Sequence, residues 1–210
     1  MAADLESLLQ AERAWGADVS ELLTALRQWI EETAPVCLRH PHGFYVLPLK
    51  LIDQEEWRLH LWPDGNREIT GMPSRIHTHD RHIDSRILLG RLTNIGYEAH
   101  AADVDGKPVY TVAYHGDKYR KTTTNRLQRS TETVHLDEVT RRVLDVGGCY
   151  RIERHTFHEA QVSEALTTCT LIRMHSYEPG AIKVVGIEGY PDEVAFEREQ
   201  FEGQLFLHFI

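Results

Sequence analysis

The stretch GMPSRIHTHDRHIDSRILLG, Gly71 to Gly90, places His77, His79 and His82 beside Asp80 and Asp84. Residues two apart on a strand point to the same face, so His77 and His79 can offer ring nitrogens to one ion. Two imidazoles hold a metal weakly, and a third donor has to come from elsewhere in the chain. His155 and His158 compete for that place. Thr156 and Phe157 lead into the run TFHEA as a strand, which favours His158. His82 stands next to Ile83 with the wrong parity for the same ion and reads as a loop or supporting residue. The plain alternative is that these are ordinary solvated histidines.

Histidine is the unusual entry in the composition, thirteen residues out of 210. The length suits one globular unit able to bury a core. A net charge of −9 leaves no basic footprint, which argues against nucleic acid and against an anionic membrane surface as partners. The segment MAADLESLLQAERAW is acidic and amphipathic, and no run of about 18 apolar residues occurs. The expectation is a cytoplasmic protein. Cys37, Cys149 and Cys169 are widely spaced, with no CxxC pair, and read as buried free thiols.

The elements that must position the histidines follow from periodicity. Leu5, Leu8 and Leu9, then Val19, Leu22, Leu23, Leu26 and Ile30, recur at helical spacing around Gly16, and Pro35 ends the second group. Two helices are expected in an extension covering residues 1–40. Residues 41–210 change to short β-rich runs: 44–52, 56–63, 85–100, 107–116, 130–136 and 167–176, separated by PDGN, DVDGK, GG and EPG turns. Strands at this spacing predict an all-β sandwich, barrel or jelly roll. The stretch PDEVAFEREQFEGQLFLHF can start as a helix and finish as a strand, and its pattern does not decide between the two. In EWRLHLWP, Trp57, Leu59 and Leu61 share one face and Arg58, His60 and Trp62 the other. If the second face looks inward, Arg58 can clamp a substrate carboxylate and His60 can donate a hydrogen bond or transfer a proton; both are the candidate catalytic residues. If it looks outward, they are solvated and the leucines are core. Ser85, Ile87 and Leu89 continue the Ile83 face as an apolar wall. DKYRKTTTNRLQR reads as an exposed loop, a lid carrying Arg120, Lys121 and Arg126 or simply a solvated patch.

The frame around the histidines resembles the cupin superfamily. Gly71, five residues, His77, one residue, His79 and then Gly90 are similar to its first motif, G-x5-H-x-H-x3/4-E-x6-G. Gly147, five residues, Glu153 and, further on, His158 are similar in spacing to its second, G-x5-P-x-G-x2-H-x3-N. In the second motif Glu153, His155 and Val162 occupy the proline, glycine and asparagine slots. In the first, Ile83 occupies the carboxylate slot. Asp84 is one residue out of phase, which turns it to the opposite face unless a bulge makes it a fourth ligand.

The resemblance implies a double-stranded β-helix with N-terminal α-helices outside it, and a metal on His77, His79 and His158. His40, His42, His100, His115, His135, His175 and His208 read as structural. Three neutral imidazoles leave open coordination positions, and cupins of this kind resemble the thiol dioxygenases, whose iron(II) takes substrate and O2 together. Their Ser-His-Tyr relay finds no counterpart in CTLIRMHSY, where Tyr177 lies at a different spacing. The expectation is a non-haem Fe(II) oxygenase acting on a small polar or carboxylated metabolite. The alternatives are a Lewis-acid isomerase or lyase on Zn, Mn or Ni, and a ligand-binding cupin without turnover. The resemblance also implies a homodimer paired through barrel edges.

Overall fold

A computed structural model describes residues 5–52, 55–65, 71–102, 105–113 and 124–210. Among these, the chain forms α1 (Leu5–Leu8), α2 (Ala11–Gly16) and α3 (Val19–Thr33), followed by antiparallel strands. The strands are β1 (Val36–Arg39), β2 (Tyr45–Ile52), β3 (Glu55–Trp62), β4 (His82–Leu89), β5 (Arg91–Ala101), β6 (Lys107–Ala113) and β7 (Asn125–Asp145). They continue with β8 (Cys149–Ile152), β9 (Phe157–Gln161), β10 (Thr168–His175), β11 (Ile182–Val185), β12 (Glu193–Phe196) and β13 (Gln200–Glu202). A 3-10 helix, Gly203–His208, follows. One sheet runs β13-β1-β2-β3-β10-β4-β8 and the other β11-β6-β7-β5-β9, with β12 paired to β7.

The helical segment is not a free appendage. Asp18 caps α3 by accepting the Ser20 N–H at 2.8 Å, and Ala34 closes it in the left-handed region ahead of Pro35. Its Leu22, Ala25, Leu26 and Ile30 are buried together with Trp57, Leu59 and Leu61 of β3, Leu88 of β4 and Leu171 of β10. The helices therefore cover the outer face of the larger sheet. Each leucine so buried contributes about 1.5–3 kcal/mol. Arg86 fastens the layers by donating to the carbonyls of Ala14 at 2.7 Å and Ala17 at 2.8 Å, at the C-terminal end of α2. β1, expected in the extension, already pairs with β2 and β13.

With its outer row under helices, β3 is buried on both faces. This settles the alternative left open by its alternation: the Arg58, His60 and Trp62 row faces the space between the sheets. There Val46, Phe44, Trp62, Ile83, Ile87, Ile172 and Met174 meet Leu92, Leu144 and Ala160 of the second sheet.

Several expectations are corrected. The run 85–100 is two strands, because Gly90 at φ +71 turns the chain out of β4 and into β5 on the other sheet. A bulge opposite Cys169 and Thr170 moves Leu89 off the inner wall, so it packs with the helical layer while Ile87 stays inside. The first expected helix is broken at an extended Gln10. At the C-terminal end, where the pattern decided nothing, β12 and β13 come first and the helix last, with Phe206 fully buried under α3. Residues 117–123 of the expected loop, Arg120 and Lys121 included, lie outside the described residues, as does His115. Arg126 belongs to β7 and pairs with Glu193 at 2.8 Å. Cys37 and Cys169 are buried and free, their thiols pushed by burial to about 11 and about 12, whereas Cys149 is exposed. No described helix is long and apolar enough to cross a membrane.

Candidate metal centre

Residues 76–79 run between β9 and β11 as a short extended piece. His77 exchanges both backbone hydrogen bonds with His158 at 3.0 Å each, and on the other side the Thr78 N–H donates to the Lys183 carbonyl and the Val185 N–H to the Ile76 carbonyl, both at 2.9 Å. The His79 carbonyl accepts the His155 N–H at 2.7 Å. These bonds fix the register that faces His77 toward His158. Thr78, of opposite parity, is buried away from the pair and accepts the Lys183 N–H on its hydroxyl at 2.9 Å.

The three rings converge. Their centroids are 4.6 Å apart for His77 and His79, 4.7 Å for His77 and His158, and 5.1 Å for His79 and His158. Ligand nitrogens of all three lie within 4.8 Å of one another. The Nδ1–H of His77 donates to the Arg75 carbonyl at 2.7 Å, which leaves Nε2 with its lone pair free. Nε2 of His79 and Nε2 of His158 are 3.0 Å apart. That separation suits one ring donating to the other, or two lone pairs aimed at a shared ion. Two ligands about 2.1 Å from an ion stand about 3.0 Å apart at a right angle and about 3.4 Å apart at a tetrahedral one.

Electrostatics agree with a donor set for a cation. Burial holds the His79 and His158 rings well below the usual imidazole range, reinforced by neighbouring rings. Burial lowers His77 too, against its bond to Arg75 and the charge of Glu159. All three are thus neutral, the form that binds metal. The residues present fit a divalent ion of borderline softness, and among the described residues no carboxylate joins the triad.

Asp84 does not reach this place. It faces outward, where it accepts from His175 Nε2 at 3.0 Å and Arg173 Nη1 at 3.4 Å. β4 carries no bulge between Ile83 and Asp84 that would turn it inward. His82 lies outside as well, its Nδ1 2.7 Å from Glu153 and 3.1 Å from the Arg154 amide. His155 occupies a turn at φ +60, 3.8 Å from Glu178. Tyr177 is half exposed beneath Arg81.

A cavity of about 70 Å³ opens onto the triad. Arg58 and His60 both line it, with Phe44, Trp62, Ile83, Ile172 and Met174 as apolar wall. Arg58 is nevertheless engaged: Nε and Nη2 donate to the two oxygens of Glu56 at 2.8 and 2.5 Å. A carboxylate clamp by Arg58 requires Glu56 to give way.

Two residues escaped the sequence reading. His40 and His42, taken as structural loop residues, line the same cavity, and the His42 ring lies 4.6 Å from that of His77. His40 stacks on Phe44 at 4.3 Å. The signal that could have found them is the same H-x-H spacing that marked His77 and His79. Of the remaining histidines, His100, His135 and His208 are exposed and stand away from the cavity. No protein-family model matches the chain, and no curated protein is similar to it at a significant level.

Proposed function

We propose that the chain is a metal-dependent cupin oxygenase, holding iron(II) on His77, His79 and His158 and oxidising a small polar or carboxylated metabolite with O2. The convergence of three neutral imidazoles from two distant segments, His158 buried and His77 and His79 partly so, carries this reading. The strand order supports the fold part. Number β3, residues 76–79, β4, β5, β7, β8, β9 and β10 from one to eight in chain order. One sheet then contains 1-8-3-6 and the other 2-7-4-5, the arrangement of a double Greek key.

Iron(II) in this place would supply open coordination positions for a substrate and dioxygen. The chain's own residues do the rest. The Arg75 carbonyl fixes the His77 tautomer. Ile83, Ile152, Ile172, Met174 and Trp62 give the cavity an apolar wall, beside which electrostatic contacts are stronger than in open water. His60, which lines the same cavity, has the position to give or take a proton.

The test is oxygen uptake by anaerobically purified, Fe(II)-loaded protein across a series of small carboxylates and polar metabolites, with the His79→Ala variant alongside. Uptake that requires iron and vanishes in His79→Ala supports the reading. Full activity in metal-free His79→Ala protein refutes it, and turnover on Zn, Mn or Ni without oxygen uptake replaces it with Lewis-acid chemistry.

A further inference from the structure

Two guanidinium groups line the cavity beside the triad, and their circumstances differ. Arg58 is held by both oxygens of Glu56. Arg75 is half-buried, and none of its nitrogens is sealed from solvent without a partner. Its guanidinium therefore keeps accessible surface while making no ion pair or hydrogen bond among the described residues. A cation withdrawn partly from water without a counter-charge carries an uncompensated desolvation cost, which an anion in the cavity would offset.

Arg75 stands on the triad's side of this space. Burial, the His77 and His158 rings and the Arg75 charge hold the His42 ring well below the usual imidazole range, and that ring lies 4.6 Å from His77. The backbone under Arg75 is braced as well. Its carbonyl accepts Nδ1–H of His77 at 2.7 Å, the Ser74 hydroxyl donates to the Val185 carbonyl at 2.6 Å, and the Ile76 N–H donates to that hydroxyl at 3.3 Å. The main chain of Arg75 thus orients a metal ligand and leaves its side chain for another task.

The cavity narrows what that task is. No described carboxylate lines it, so the local field favours negative charge on whatever enters. A water needs about 10–15 Å³ of such space, and about 70 Å³ therefore holds about five to seven non-hydrogen atoms. A phosphate group would use most of that room; a carboxylate leaves space for a short chain. Phe44 and Trp62, with ring centroids 4.6 Å apart, offer that chain an apolar wall.

We infer that Arg75 is the substrate anchor of this cavity: its planar guanidinium pairs with the carboxylate of a short aliphatic acid whose alkyl part lies against Phe44 and Trp62. This names the substrate class of the proposed metal centre and rests on that reading for its catalytic meaning. The pairing itself needs no ion.

Propionate is the probe, with propionamide as its uncharged match in shape. Both are titrated into the full chain, zinc-loaded and chelator-treated, and read by broadening of the probe's own NMR lines. In the chelator-treated form, where no ion competes for the carboxylate, the wild type should bind propionate about tenfold or more tighter than propionamide, the margin expected for hydrogen bonds to a charged group. Arg75→Gln should abolish that preference and keep its zinc, because the bond that orients His77 comes from the backbone carbonyl. Arg75→Lys, which retains the charge without the planar fork, should fall between the two. A wild type that does not prefer propionate, or an Arg75→Gln variant that still does, overturns the anchor. Loss of zinc together with the preference in Arg75→Gln assigns the side chain to the fold and overturns it too. A wild type that holds no metal defeats the proposed function instead, and the chelator-treated titrations still decide Arg75.

Discussion

Acidification should unfold this protein at a pH where most proteins of its size are still comfortable. Burial keeps His40 and His60 well below the ordinary imidazole range, and Arg198 adds to both. Both rings are thus neutral in the fold and free to take a proton in the unfolded chain. Below about pH 6.5 the unfolded state binds more protons than the folded one, so stability is fully present above that pH and is lost as pH falls. Each such ring contributes a slope of at most about 1.4 kcal/mol per pH unit. His40 and His60 together approach about 2.7 kcal/mol per unit, against a total stability of about 5–15 kcal/mol. His42 and the triad add in the same direction when no metal is bound. Carboxylates contribute little in this window, since Glu55 is held below its usual range by Arg173 and titrates at lower pH. Urea unfolding of chelator-treated protein at half-unit steps from pH 7.5 to 5.5 measures the slope, and His60→Phe should flatten it by one ring's share. A stability that is level across those pH values, or a His60→Phe slope equal to that of the wild type, refutes the claim that these rings are buried and neutral.

Two further outcomes follow from the geometry. Gly90→Ala places a methyl 2.3 Å from the Thr167 carbonyl at a φ of +71, and should cost more than the roughly 1–3 kcal/mol of left-handed strain alone, read as a shift of the urea midpoint. Asp84→Ala should leave metal content unchanged by elemental analysis, because its carboxylate is committed to Arg173 and His175 on the outer surface; loss of metal would restore it as a ligand.

The site was more legible in the sequence than the frame around it. His77, His79 and His158 could be chosen because strand parity and glycine spacing are local properties, and the same parity rule kept Asp84 outside. Parity could not say which row of β3 faced inward. That was decided by Leu22, Leu26 and Ile30 of α3 arriving on the far side of the sheet, a tertiary event no window of β3 contains. Leu89 was misplaced for a related reason, since the bulge facing Cys169 is a property of the pairing with β10 and not of SRILLG alone. His40 and His42 were passed over because Pro41 marks a loop, and a loop gives no face to reason from. The fold brings that loop over the triad. The C-terminal order could not be read because Phe206 and Ile210 take their place from the helical layer they pack against, not from their own periodicity.

Elemental analysis of anaerobically purified protein, wild type beside His77→Ala, His79→Ala and His158→Ala, bears most directly on the metal centre. The geometry predicts about one transition-metal ion per chain in the wild type and less than about a tenth in each variant. A wild type that binds no ion under metal-replete conditions, or three alanine variants that keep a full complement, would contradict it.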